Sequence, residues 1–159
     1  MALDEFDMIP KFFPAPPFIL TLAGILPFLG TTLAMWLWQD QIGLLLTAGL
    51  WLLVYATMIL SFLGGVRWGV EISRSEPPRW GQLSVSVLGA LCGWALVMAA
   101  FNPVLKPWML VVLSALIVLQ YFYDRFAPDL PDWYRALRFW PTLSAALCLL
   151  AGAALLSRI

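Results

Sequence analysis

Five stretches of this chain contain no Asp, Glu, Lys or Arg: Phe18 to Trp38, Ile42 to Val66, Leu83 to Phe101, Pro107 to Tyr123 and Phe139 to Leu156. A helix rises about 1.5 Å per residue, so about 20 apolar residues cross a hydrocarbon layer of roughly 30 Å, and in lipid a helix satisfies its own backbone. All five stretches meet that length, the last two at the short end. A soluble bundle needs a polar outer face on each helix, and these runs are apolar on every side. The composition agrees: 62% of residues are hydrophobic and 11% charged, against about 45–50% and about 25% in ordinary soluble domains. The sequence therefore predicts an all-α polytopic membrane protein, a single domain of five transmembrane helices.

Pro14, Pro16 and Pro17 precede the first span, Gln39 to Gln41 form a short turn, Pro77 and Pro78 break the second connection, and Pro107 opens the fourth span, where its missing N–H costs least. Short cytoplasmic loops retain Lys and Arg. With five crossings, Lys11, Arg67, Arg74, Arg79, Arg125, Arg135 and Arg138 share the side of the N-terminus, leaving Lys106 and Arg158 opposite. Seven against two predicts the N-terminus in and the C-terminus out. Met1 to Pro17 places Asp4, Glu5 and Asp7 before its one Lys, unlike a secretory signal, so the first span is expected to stay uncleaved.

Membrane helices are held together by close packing of small residues and by a few hydrogen bonds. Ser61, Gly65, Gly69 and Ser73 recur at four-residue steps in the second span; Gly89 and Gly93 do so in the third, and Ser144, Cys148 and Gly152 in the fifth. These residues are the expected seams. Pro27 predicts a kink in the first span that Thr21 or Thr31 can compensate. Thr57 is expected to be a polar contact between helices, and Tyr55 and Gln120 are possible donors to a pocket that Pro27 and Trp94 would also line. Cys92 and Cys148 read as small buried hydrophobes.

The distinctive polar residues gather at one end. Arg67 and Glu71 are one turn apart and belong on one helix face, with Trp68 and three glycines around them. The fourth connection holds Asp124, Arg125, Trp133, Arg135 and Arg138, and its Trp133, Tyr134, Leu137 and Trp140 describe a short amphipathic segment suited to lie along the membrane surface. The arginines can converge on an anionic headgroup or a partner's carboxylates, with Asp124 the obvious counter-ion.

The run YATMILSFLGGVRWG, Tyr55 to Gly69, with YFYDR at Tyr121 to Arg125 and WYRALR at Trp133 to Arg138, resembles the domain-of-unknown-function 3429 family, most specifically in FLGGVRWG at Phe62 to Gly69. The resemblance implies a small multi-span protein of the bacterial or mitochondrial inner membrane and carries no catalytic residues. Pro77-Pro78-Arg79-Trp80 is also similar to a motif of the tryptophan-rich sensory (translocator) proteins, where it lies between the first and second helices; here it lies between the second and third.

Nine basic residues balance nine acidic ones, so no positive surplus attracts nucleic acid. The chain has no His and two Cys, which removes the commonest metal ligand and general base; no cofactor and no metal site is expected. Three functions remain. The first is a non-enzymatic accessory or assembly factor that docks a membrane-protein partner or lipid through the cytoplasmic face of Arg67, Trp68, Glu71, Asp124, Arg125, Trp133, Arg135 and Arg138. The second is a carrier or binder of an apolar small molecule, such as a quinone, sterol or porphyrin-like compound, beside Pro27, Tyr55, Trp94 and Gln120. The third is an integral membrane enzyme using Asp124, Tyr123 and Glu71, which form no recognisable motif.

Overall fold

A computed structural model describes residues 14–74, 76–101 and 105–159. The acidic N-terminal segment with Lys11 lies outside the described residues. These residues form helices and no strand: α1 (Ala15–Leu37), α2 (Ile42–Ile72), α3 (Trp80–Ala100), α4 (Pro107–Arg125), α5 (Asp132–Leu137) and α6 (Phe139–Leu156). Prolines occupy the first turns of α1 and α4, where no hydrogen bond is lost. Five helical stretches are long and apolar enough to cross a membrane, the fifth running from Asp132 to Leu156.

α2 continues six residues past the charge-free run ending at Val66, to Ile72, as the placement of Arg67 and Glu71 on one helix face expects. Its 31 residues make a rod of about 46 Å at 1.5 Å per residue, well beyond the roughly 30 Å of hydrocarbon, so Arg67 and Glu71 remain helical at one end of it. One element differs from the sequence expectation: α5 is not a separate surface segment. Arg138, with φ −65° and ψ −21°, joins it to α6, and Trp133 and Tyr134 are half-buried. The near-continuous helix turns these aromatics toward the bundle.

α2 is the hub, packed on α1, α3, α4 and α6, and α4 lies along α6. Met35, Leu45, Leu52, Leu53, Leu60, Leu110, Leu113, Ile117 and Leu149 are fully buried between them. α3 rests mainly on α2, and its other side exposes Leu88, Leu91 and Trp94. That outward apolar surface is what lipid, not water, should cover.

Glycine sets the seams, although not every glycine does. A Cβ on Gly93 would stand 2.6 Å from Thr57 Cγ2, one on Gly89 3.2 Å from Leu60 Cγ, and one on Gly152 2.9 Å from Leu52 Cδ2. The expected α2 stripe is corrected: Ser61, Gly65 and Gly69 are exposed, and a Cβ on either glycine meets nothing within 4 Å. The contact falls one residue earlier, at Gly64, where a Cβ would lie 2.1 Å from the Ser86 carbonyl oxygen. The rotation of α2 against α3, which spacing alone leaves free, decides between adjacent glycines.

Hydrogen bonds complete the packing. The Tyr55 hydroxyl donates to the Gly24 carbonyl at 2.8 Å, and Ser114 Oγ donates to the Ala146 carbonyl at 3.4 Å. Gly24 lies in the turn before Pro27, inside the continuous α1, and Thr31 Oγ1 donates to the Pro27 carbonyl at 2.7 Å. Thr57 is corrected: its methyl packs on Gly93 and its buried hydroxyl has no hydrogen-bond partner. Cys148 is buried and Cys92 exposed, so the latter departs from its expected burial.

Candidate functional site

Charge is buried at the end of the bundle where α2, α4 and α6 carry their polar residues. Arg67 is 6% exposed, Glu71 2%, Asp124 1% and Arg138 8%. Such groups are tolerated out of water only when paired and hydrogen-bonded.

Two sets of partners result. In the outer set Arg79, at the N-cap of α3, clasps Glu71: its backbone N–H donates to Oε1 at 2.7 Å and its Nη2 to Oε2 at 2.8 Å. The same Nη2 reaches Asp129 at 2.9 Å, and Arg74 Nη1 reaches Asp129 at 3.1 Å. Glu71 and Asp129 hold the Arg79 guanidinium above its ordinary pKa through these hydrogen bonds. The clasp ties the end of α2 to the start of α3 and to the loop after α4.

In the inner set two guanidiniums face one carboxylate. Arg67 Nε stands 4.0 Å from Asp124 Oδ1, and Arg138 Nε stands 3.3 Å from Oδ2. Gln120, one turn before Asp124 on α4, donates from Nε2 to Oδ1 at 3.2 Å. Arg67 Nη2 also donates to Gln82 Oε1 at 3.2 Å, an oxygen that accepts from the Tyr123 hydroxyl as well. The Arg67 guanidinium lies 4.7 Å from the Tyr123 ring centroid, a cation–π contact. Several polar atoms here stay buried without a hydrogen-bond partner: Arg67 Nε and Nη1, Arg138 Nε and Nη2, Asp124 Oδ2, Tyr134 Oη and Thr142 Oγ1.

Beside this set opens a crevice of about 330 Å³ between α1, α2, α5 and α6. Its walls are apolar, including Ile25, Phe28, Ile59 and Leu63, while Tyr134, Arg138 and Thr142 supply polar lining. Leu20 and Phe62 line it and are themselves exposed, so its mouth is apolar. A small-molecule site spans about 300–1,000 Å³ and is mostly apolar with a few placed polar groups; this crevice lies at the small end of that range.

The sequence-derived site divides accordingly. Arg67, Asp124 and Arg138 converge. Arg67 and Glu71, although one turn apart on α2, do not pair: Glu71 is held by Arg79 and Arg67 turns to Asp124. Arg135 pairs with Asp132 in its own helix, Arg125 and Trp68 are exposed, and Trp133 lines the crevice. Pro27, Tyr55, Trp94 and Gln120 do not share a pocket: Trp94 is 61% exposed, Tyr55 is bonded to Gly24, Gln120 is bonded to Asp124, and none of the four lines the crevice. Separate rotations of α2, α3 and α4 scatter them. Sequence reasoning missed Tyr134 and Thr142 as site residues, although Tyr134, Arg138 and Thr142 stand at four-residue steps, a polar ladder on one helical face. Gln82 and Asp129 carried no such local signal.

The family described as "Protein of unknown function (DUF3429)" matches residues 13–154. Transmembrane protein 69 of Xenopus tropicalis is 33% identical over 144 residues, which covers 87% of this chain and 54% of that protein. Transmembrane protein 69 of Mus musculus is 31% identical over 134 residues, 83% of this chain and 53% of that one. The chain thus spans about half the length of these relatives. No solved structure matches it. With a match over most of its length and apolar helices throughout, the chain is an integral membrane protein of the DUF3429 family.

Proposed function

We propose that this protein is a non-enzymatic accessory protein of an inner membrane, bacterial or mitochondrial, that holds a membrane lipid at its arginine-rich end. The reading rests on the meeting of an apolar-mouthed crevice with buried donors that lack partners, beside Arg138. It joins the docking face expected from the arginines to the binder of an apolar molecule, and moves the latter away from Pro27 and Trp94. Binding rather than turnover is favoured because the candidate acids are engaged: Glu71 by Arg79, Asp124 by two arginines, and Tyr123 by Gln82. The basic count supports the arginine-rich end facing the cytoplasm or matrix.

Thr21 lines the crevice from α1 and is half-buried, so Thr21→Trp narrows the space without opening the core. Protein extracted in native-membrane nanodiscs and examined by native mass spectrometry is expected to retain a lipid that Thr21→Trp loses. Equal retention by the two proteins sinks the reading. A second reading, docking of a membrane-protein partner, is favoured by Arg125, exposed and without an ion pair among the described residues, next to exposed Phe126. Loss of a co-purifying protein on Arg125→Glu, with lipid retained, supports that alternative.

A further inference from the structure

The crevice also carries information about the head of its occupant. Two buried guanidiniums, Arg67 and Arg138, share the single carboxylate of Asp124, and the other buried carboxylate at this end, Glu71, is held by Arg79. The inner set therefore has one positive charge in excess. An uncompensated buried charge is strongly unfavourable, and the unpartnered atoms on the excess side are donors: Arg138 Nη2, Tyr134 Oη and Thr142 Oγ1. All three residues line the crevice, on one face of the α5–α6 helix.

We infer that the occupant is a phospholipid whose phosphodiester is held by Arg138, Tyr134 and Thr142, with one acyl chain in the crevice. This rests on the lipid-holding function proposed above. A phosphodiester bears a single negative charge, equal to the excess, and its several oxygens accept from more than one donor at once. Arginine suits such a group because its fork presents paired N–H donors. The volume of about 330 Å³ suits a single chain, and the mouth beside exposed Leu20 and Phe62 lets the second chain stay in the bilayer. Arg138, Tyr134 and Trp133 lie where α5 meets α6, at the end of the fifth apolar stretch, which is headgroup depth for a helix crossing the membrane.

Arg138→Gln separates the head from the fold. Removing this guanidinium leaves Arg67 and Asp124 as a one-to-one pair, so the variant is expected to unfold no more readily than the parent in detergent. Delipidated protein is titrated with dioleoyl phosphatidylglycerol, dioleoyl phosphatidylcholine and oleate, and the adducts are counted by native mass spectrometry. The parent should bind both phospholipids, which share the phosphodiester, and Arg138→Gln should weaken them at least about tenfold, the scale of one lost charge-assisted hydrogen bond. Tyr134→Phe with Thr142→Val, which keeps the charge, should weaken them by a smaller factor and serves if Arg138→Gln fails to fold. Undiminished phospholipid binding by Arg138→Gln, or by the double variant where that one does not fold, overturns the assignment. Tighter binding of oleate than of either phospholipid overturns it too, in favour of a carboxylate head, and leaves the lipid-holding function standing. Phospholipid binding that Thr21→Trp does not reduce overturns both.

Discussion

Gly64 and Gly65 are neighbours in α2, yet the structure assigns them opposite sensitivities. The alanine Cβ at position 64 would lie 2.1 Å from the Ser86 backbone oxygen, whereas real Cβ contacts begin near 3.0 Å, so α2 and α3 must part by about 0.9 Å. The obstacle is backbone, so no side-chain rotation relieves it. A gap of about 0.5–1 Å forfeits a quarter to a half of each dispersion contact, and the loss extends along the seam that Gly89 and Gly93 form with Leu60 and Thr57. Overpacking of this kind costs about 1–3 kcal/mol. At Gly65 a Cβ meets nothing within 4 Å, and alanine gains up to about 1 kcal/mol of helix propensity. That gain is common to both positions in the interior of α2 and cancels in the comparison, so Gly64→Ala should be about 1–3 kcal/mol less stable than Gly65→Ala. Unfolding in mixed micelles with increasing dodecyl sulfate, followed by tryptophan fluorescence, measures the difference. Equal midpoints for the two variants, or a greater loss at Gly65, would refute the assigned rotation of α2 against α3.

The same seam predicts a rescue: Gly93→Ala should destabilise by pressing on Thr57 Cγ2, and adding Thr57→Ser, which removes that methyl, should recover most of the loss in the same unfolding assay. Tyr55→Phe deletes the hydrogen bond to Gly24 and should lower stability by about 1 kcal/mol, while Thr47→Val, whose hydroxyl bonds only within its own exposed turn, should leave the midpoint near the parent's. Asp124→Asn leaves two buried arginines without an anion and should cost about 3–5 kcal/mol, and Arg138→Gln added to it should restore part of that in a thermal-shift measurement. Arg79→Gln leaves buried Glu71 without its clasp and should speed proteolysis between α2 and α3 in proteoliposomes, whereas Arg125→Gln should not.

The structure keeps the all-helical class and the apolar spans that the sequence indicates, because crossing lipid is a local requirement: each segment meets it by its own length and lack of charge, whatever its neighbours do. The concentration of arginine and aromatic residues toward the ends of the spans was legible for the same reason. Pairing was legible only in part: Asp124 stood out as a counter-ion, but not which arginines it takes. Four-residue spacing allows Arg67 with Glu71, but an i,i+4 pair on a helix surface contributes only about 0.2–0.5 kcal/mol, and a buried carboxylate depends far more on a partner that also hydrogen-bonds it, as Arg79 does Glu71. The tertiary demand prevails, drawing Arg67 across to α4 and leaving Glu71 to Arg79. Likewise the sequence shows that small residues line helix faces, but only the rotation of packed helices makes Gly64 the contact and leaves Gly65 and Gly69 outside. Transfer of a helix into lipid depends on what it contains; its partners depend on how the helices turn against one another in three dimensions.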